Sequence, residues 1–174
     1  MRHRFPLKNI YAFFVLLCCA NAAFAQPPAA DSTKKRINIL HADRISFINQ
    51  DSLNQFQVLA GNVRIQQDQT LFFCDSASIN TVSNVLESFG HVQINDADSL
   101  HVYSDYLKYL GKEKKATLTG NVKLTDGKGT LTTKQLDYDL ASKISTYSTG
   151  GKVVNGKTVL TSEEGVYYEE TRDV

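Results

Sequence analysis

The side chains able to do chemistry are few, and their spacing decides what they can do. Beyond residue 25 the histidines are His41, His91 and His101, and the one cysteine is Cys74. A metal centre needs three or four ligands converging from fixed positions. His91 and His101 could face each other on neighbouring strands, but His91 fills a slot that holds Asn62, Asn121 or Lys152 elsewhere, which reads as a solvated face position. Asp96-Ala97-Asp98 opens like a calcium loop. The glycine and glutamate that such a loop needs at its sixth and twelfth positions are His101 and Leu107, so a hairpin turn is the better account. The acids Asp43, Asp75, Asp105 and Glu163 recur, Lys134 breaks their series, and an Asx-type bend between strand segments explains them more simply than a ligand ladder. No serine or cysteine sits in a G-x-S-x-G elbow, and no carboxylate pair stands out for glycan hydrolysis. Cys74 shares a small position with Ala42, Ser104, Thr133 and Ser162 and reads as packing. These residues imply no catalysis, no cofactor and no metal.

The elements that carry them repeat. Glycine followed two positions on by valine occurs in Gly61-Asn62-Val63-Arg64-Ile65, Gly90-His91-Val92-Gln93-Ile94, Gly120-Asn121-Val122-Lys123-Leu124 and Gly151-Lys152-Val153, at spacings of 29, 30 and 31. A second element begins with Leu40-His41-Ala42-Asp43-Arg44-Ile45-Ser46-Phe47 and returns at 72–79, 102–109, 131–138 and 160–167. A fixed period in this range signals stacked architecture. Apolar and polar residues alternate within each copy, as at Val63/Ile65 and Leu131/Thr133, which is the period of half-buried strands. Asp126-Gly127 and Asn155-Gly156 read as type I′ hairpin turns, with Asp68-Gln69 and 96–99 in matching places. Polar, turn-prone stretches at 49–52, 82–84, 111–115 and 141–143 close the other side. Each repeat is therefore two strands and two turns. A unit this small cannot bury its own apolar face, so the copies must stack into an all-β, elongated structure with one continuous core. Jellyroll, solenoid and meander all satisfy that pattern.

The ends and the charge narrow the setting. Arg2, Arg4 and Lys8, the apolar run from Ile10 to Ala20, and Ala23-Phe24-Ala25 read as a signal peptide over 1–25, the run being too short to cross a bilayer. Cys18 and Cys19 lack the small preceding residue that lipoprotein processing requires. Pro27, Pro28 and the polar run to Arg36 make 26–36 a flexible lead-in to a domain over 37–174. Cleavage leaves Cys74 alone, so no internal disulfide forms, and 16 basic against 18 acidic side chains offer no basic patch for nucleic acid. The sequence stops after the first half of a repeat, as expected of an edge that receives a partner or of a piece of a longer chain.

The apolar interior is the remaining feature. Leu40, Ile45, Phe47, Phe56, Val58, Val63, Ile65, Phe72, Ile79, Val92, Ile94, Val102, Leu107, Leu118, Val122, Leu124, Leu131 and Leu136, with Val153, line one face. They form either a dry core or, in part, an open groove for acyl chains. Each methylene withdrawn from water contributes about 0.8 kcal/mol, so a dozen would hold a lipid outside a membrane.

The paired pattern Ala42-Asp43-Arg44-Ile45-Ser46-Phe47 with Gly61-Asn62-Val63-Arg64-Ile65, echoed by Ser104-Asp105-Tyr106-Leu107-Lys108-Tyr109 with Gly120-Asn121-Val122-Lys123-Leu124, resembles the OstA/LptA family of lipopolysaccharide-transport proteins. The likeness covers about 37–174. It implies a twisted, open β-jellyroll in the periplasm, in association with the outer membrane, whose interior binds lipopolysaccharide or a related lipid. It also implies partners: other β-jellyroll components joined through exposed edge strands, and head-to-tail association of like copies. A structural or adhesive β-repeat protein without a lipid is the competing expectation.

Overall fold

The computed structural model describes residues 36–96 and 100–168. The expected signal peptide, almost all of the expected lead-in and part of the expected turn at 96–99 lie outside the described residues. The rest forms twelve strands in one antiparallel sheet: β1 (Asn38–His41), β2 (Arg44–Asn49), β3 (Gln55–Gln67), β4 (Thr70–Asn80), β5 (Val85–Asp96), β6 (Leu100–Leu110), β7 (Lys115–Thr125), β8 (Gly129–Asp139), β9 (Ile144–Tyr147), β10 (Gly151–Asn155), β11 (Thr158–Ser162) and β12 (Gly165–Tyr168). From β3 to β8 each strand pairs with the next, so the all-β expectation and the chain of hairpins both hold.

The repeated glycines fold this sheet in two. Pairing of β3 with β4 skips from Ala60 to Val63, of β5 with β6 from Phe89 to Val92, and of β7 with β8 from Thr119 to Val122. The skipped pairs are Gly61-Asn62, Gly90-His91 and Gly120-Asn121, all with positive φ. Two successive left-handed residues bulge the strand and bend it sharply. The second repeated element supplies the other half of the bend. A Cβ on Gly61 would stand 2.2 Å from the Asp43 carboxylate, and one on Gly120 would stand 2.5 Å from that of Asp105. The acid lies against the bare glycine and bonds the residue after it: Asn62 Nδ2 donates to Asp43 at 3.0 Å, and Asn121 Nδ2 to Asp105 at 2.8 Å. The recurring acid thus caps a bulge on the neighbouring strand; its carboxylate does not fold back on its own backbone as an Asx bend would.

The fourth glycine element is displaced from its expected place. Val63, Val92 and Val122 pair with Cys74, Ser104 and Thr133, and the next small residue, Ser162, pairs with Gly151. Thr149-Gly150-Gly151 therefore occupies the slots of Gly-Asn-Val, with the positive φ at Gly150. Without a glycine in the first slot the strand breaks there into β9 and β10. Two turns differ as well. At Asp126 only Gly127 has positive φ, because Asp126 Oδ1 accepts the amides of Lys128 and Gly129 and holds its own residue out of the left-handed region. Asn155 pairs with Thr158, so the second turn centres on Gly156-Lys157.

The bends divide the sheet into two layers. Layer A comprises β1, the segments 63–67, 70–74, 92–96, 100–104, 122–125 and 129–133, and β10 and β11. Layer B comprises β2, the segments 55–60, 76–80, 85–89, 106–110, 115–119 and 135–139, and β9 and β12. Their inner faces pack into one core in which Leu59, Ile65, Phe72, Leu86, Ile94, Val102, Leu107, Leu118 and Leu136 have no solvent contact. Phe72 of layer A and Tyr109 of layer B meet with ring centroids 5.0 Å apart.

Candidate functional site

The layers are offset, and the offset creates the site. Lys114 in a layer B turn reaches Asp68 in a layer A turn 46 residues earlier, and Lys143 reaches Asp96 across 47. Each layer A turn thus faces a layer B turn about three strands further along the chain. At the N-terminal end layer B overhangs, and β2 is exposed along its whole length. Ile45 and Phe47 pair with Leu59 and Gln57, and residues directly opposite on paired strands share a face, so both look inward. Phe47 is nonetheless 71% exposed because no layer A strand covers it. At the other end layer A overhangs, and Leu160, paired with inward Val153, is 51% exposed.

The overhang at the N-terminal end opens into a cavity of about 660 Å³ lined by Ile37, Ile79 and Val82, by the amides Gln57, Gln67 and Asn84, and by the cations Arg36, Lys112 and Lys114. Its size suits a ligand pocket. Lys114 is tied to Asp68 at 2.8 Å, while no ion pair among the described residues engages Arg36 or Lys112. A smaller cavity of about 60 Å³ lies near the other end between Leu124, Leu131, Val153 and Tyr167.

Thirteen of the eighteen residues expected to touch lipid are buried: Val63, Ile65, Phe72, Ile79, Val92, Ile94, Val102, Leu107, Leu118, Val122, Leu124, Leu131 and Leu136, of which Ile79 borders the larger cavity and Leu124 and Leu131 the smaller. Phe56 and Val58 are half-buried but alternate with inward Gln57 and Leu59 and so face outward, contrary to the expectation; Leu40 is exposed in the bulge of β1, and Ile45 and Phe47 are exposed on the overhang. The interior is closed through its middle and open at its ends, where the sequence pattern allowed either a dry core or, in part, an open groove. Cys74 is buried, and burial pushes its thiol pKa up. His91 stands in solvent with Nδ1 2.7 Å from Asp75, and His101 bonds Asn95. Among the described residues no three of His, Cys, Asp and Glu come together as a metal site would require.

A row of polar bridges closes the side opposite the bends. Besides the Asp68–Lys114 pair, Gln67 Nε2 donates to the Gly111 carbonyl at 3.1 Å and Tyr167 donates to Asp126 at 2.9 Å. Buried Asp96 accepts from Lys143, from the Tyr138 hydroxyl at 2.7 Å and from Thr70 at 2.8 Å. Burial works against its ionised form, but these donors outweigh burial and hold its pKa below the ordinary carboxylate value. The sequence pattern placed Asp68, Asp96, Asp126, Lys114 and Lys143 in turns but did not reveal that they bridge the layers. Asp68, Asp96 and Asp126 recur 28 and 30 apart, and Lys114 and Lys143 recur 29 apart, so a third periodic signal was present in the turns.

The family model for OstA-like protein matches residues 34–174. The chain belongs to that family. Among solved structures the OstA-like chain is similar to LptH of Pseudomonas aeruginosa, described as the LptA-homologous periplasmic component of the lipopolysaccharide transport device. The two share 19% identity at a TM-score of 0.50, over 62% of this chain and 78% of that one. At that identity the likeness speaks for the fold: the bent, twisted sheet of the OstA-like chain is a β-jellyroll. A search of curated proteins gives no match.

Proposed function

We propose that this OstA-like chain is a periplasmic lipid-binding module in lipopolysaccharide transport to the outer membrane, with no catalytic role. The observation that carries the reading is the cavity at the N-terminal end, where inward apolar side chains lie beside Arg36, Lys112 and Lys114. Apolar wall and cationic rim together suit an amphiphile with acyl chains and an anionic head, as lipopolysaccharide is. Membership of the OstA-like family and the likeness to a periplasmic transport component support the same setting.

Offset layers also support end-to-end joining. One end offers the inner face of layer B at Ile45 and Phe47, and the other offers the inner face of layer A at Leu160. A further jellyroll seated against either overhang supplies the missing layer and continues both the ladder and the core. Exposed strand edges invite that pairing.

Photo-crosslinking tests the lipid reading. A photoreactive residue at Phe47 forms an adduct with lipopolysaccharide, and one at Tyr103, on the outer face, does not. The closed middle favours a second reading, a structural β-repeat protein with no ligand. Equal labelling at the two positions, or none at Phe47, selects that one.

A further inference from the structure

Acyl chains have no room between the layers at the centre of the molecule. Phe72, Leu107 and Leu118 are without solvent contact, and Phe72 lies directly against Tyr109. The two long sides of the layered structure are nonetheless held in different ways. Along one side the layers are continuous through the bends, whose paired left-handed residues leave the strand ladder interrupted in β3, β5 and β7. Along the other, no strand pairing crosses among the described residues; side chains alone connect the layers, at Asp68–Lys114, Gln67–Gly111, Asp96–Lys143 with Tyr138, and Asp126–Tyr167. Asp68 and Lys114 are themselves a quarter to a third exposed, where water competes for the pair.

We propose that the acyl-binding groove is cryptic and opens when layers A and B part along this clasped side, with the glycine bends as the hinge. This rests on the reading that the chain binds lipid. Parting the layers exposes apolar surface that the acyl chains then cover, so lipid takes the place of the opposing layer and the apolar balance is restored. The polar bridges have no such replacement. They set how readily the groove opens, and they close it again when the lipid leaves.

A reducible tether tests this. Asp68→Cys and Lys114→Cys are joined by a cleavable bis-maleimide in a Cys74→Ser background, and a photoreactive phenylalanine analogue is placed at Phe47 or at Phe72 before exposure to lipopolysaccharide. The Phe47 adduct forms with the tether closed or cleaved. The Phe72 adduct falls at least tenfold while the tether is closed and returns on reduction. A Phe72 adduct of equal yield in both states overturns the proposal. Absence of adduct at both positions in the cleaved state removes the lipid reading itself, and the cryptic groove with it. Asp68→Asn, which breaks the Lys114 pair and leaves the core and the cations of the cavity in place, provides an independent measure: a fluorescent acyl probe loads several-fold faster into this variant, and an unchanged loading rate counts against the clasp.

Discussion

The bend at Gly61, Gly90 and Gly120 joins three residues, a bare glycine, the side chain after it and an acid on the neighbouring segment, and its parts can be removed singly. At Gly120 a methyl group meets both a φ of 79° and the Asp105 carboxylate 2.5 Å away. Gly120→Ala is expected to cost about 1–3 kcal/mol from backbone strain alone, read as a fall in the urea midpoint. Adding Asp105→Gly, which also removes the Cβ 2.9 Å away, relieves the overlap and recovers part of the loss, whereas Gly127→Ala, whose methyl meets nothing within 4 Å, carries only the φ penalty. His91 provides a titratable readout of the same device. Its hydrogen bond to Asp75, then the charge of Asp75, raises the imidazole pKa above the usual value. A raised folded pKa makes a contribution that is complete below the unfolded pKa and is lost as pH rises through the folded one. Proton NMR should place the His91 midpoint above 6.5, and Asp75→Asn should bring it back to about 6.5. An unmoved midpoint would show that the pair is broken in solution.

Turns, which pure stacking leaves to solvent, carry the second cohesive system. Asp96 is buried at the end of β5 with three donors from three other segments. Its depressed pKa means that its contribution is present above the unfolded carboxylate value and disappears as pH falls through the folded one. Acid denaturation should therefore steepen below about pH 4, and Asp96→Asn should flatten that limb. At neutral pH the same substitution should cost about 1–3 kcal/mol, because the Lys143 ammonium and the Tyr138 hydroxyl lose a charged acceptor. Equilibrium unfolding of both proteins across pH 2.5–7 checks the sign and the size together.

A sheet folded on itself with its layers out of step has two unlike ends and a uniform middle. Loss of packing and loss of binding should accordingly separate by position. Leu118→Ala, in the closed centre, should cost about 2–5 kcal/mol of stability. Phe47→Ala, on the overhang, should change stability by less than about 0.5 kcal/mol while reducing lipid or partner binding. A Phe47→Ala chain that unfolds like Leu118→Ala would mean that the overhang is covered in solution.

Local chemistry was enough to determine the strands, the repeat and the bends. Period-two alternation requires pleated backbone, and a glycine recurring inside such a pattern marks a bulge, as it does at Gly61, Gly90 and Gly120 though not at Gly151. Alternation also picked out the thirteen buried positions, since one face of every strand must leave water, but it misplaced Phe56 and Val58, whose pairing with Asn80 and Ser78 puts them on the outer face, and Leu40, which falls in the bulge of β1. Their exposures were not legible, because Phe47 and Leu118 look alike along the chain and differ only in whether an opposing layer covers them. That depends on the offset between the layers, a property of how twisted sheets settle against each other and of no single repeat. The clasp across Asp68–Lys114 and Asp96–Lys143 was hidden for a related reason: its partners are some 46 residues apart and meet only after two bends have brought the layers together. The displaced fourth glycine shows the limit from the other side, since a Gly-x-Val string repeats by type, and only hydrogen-bonded pairing decides that Gly151 stands where valine stood before.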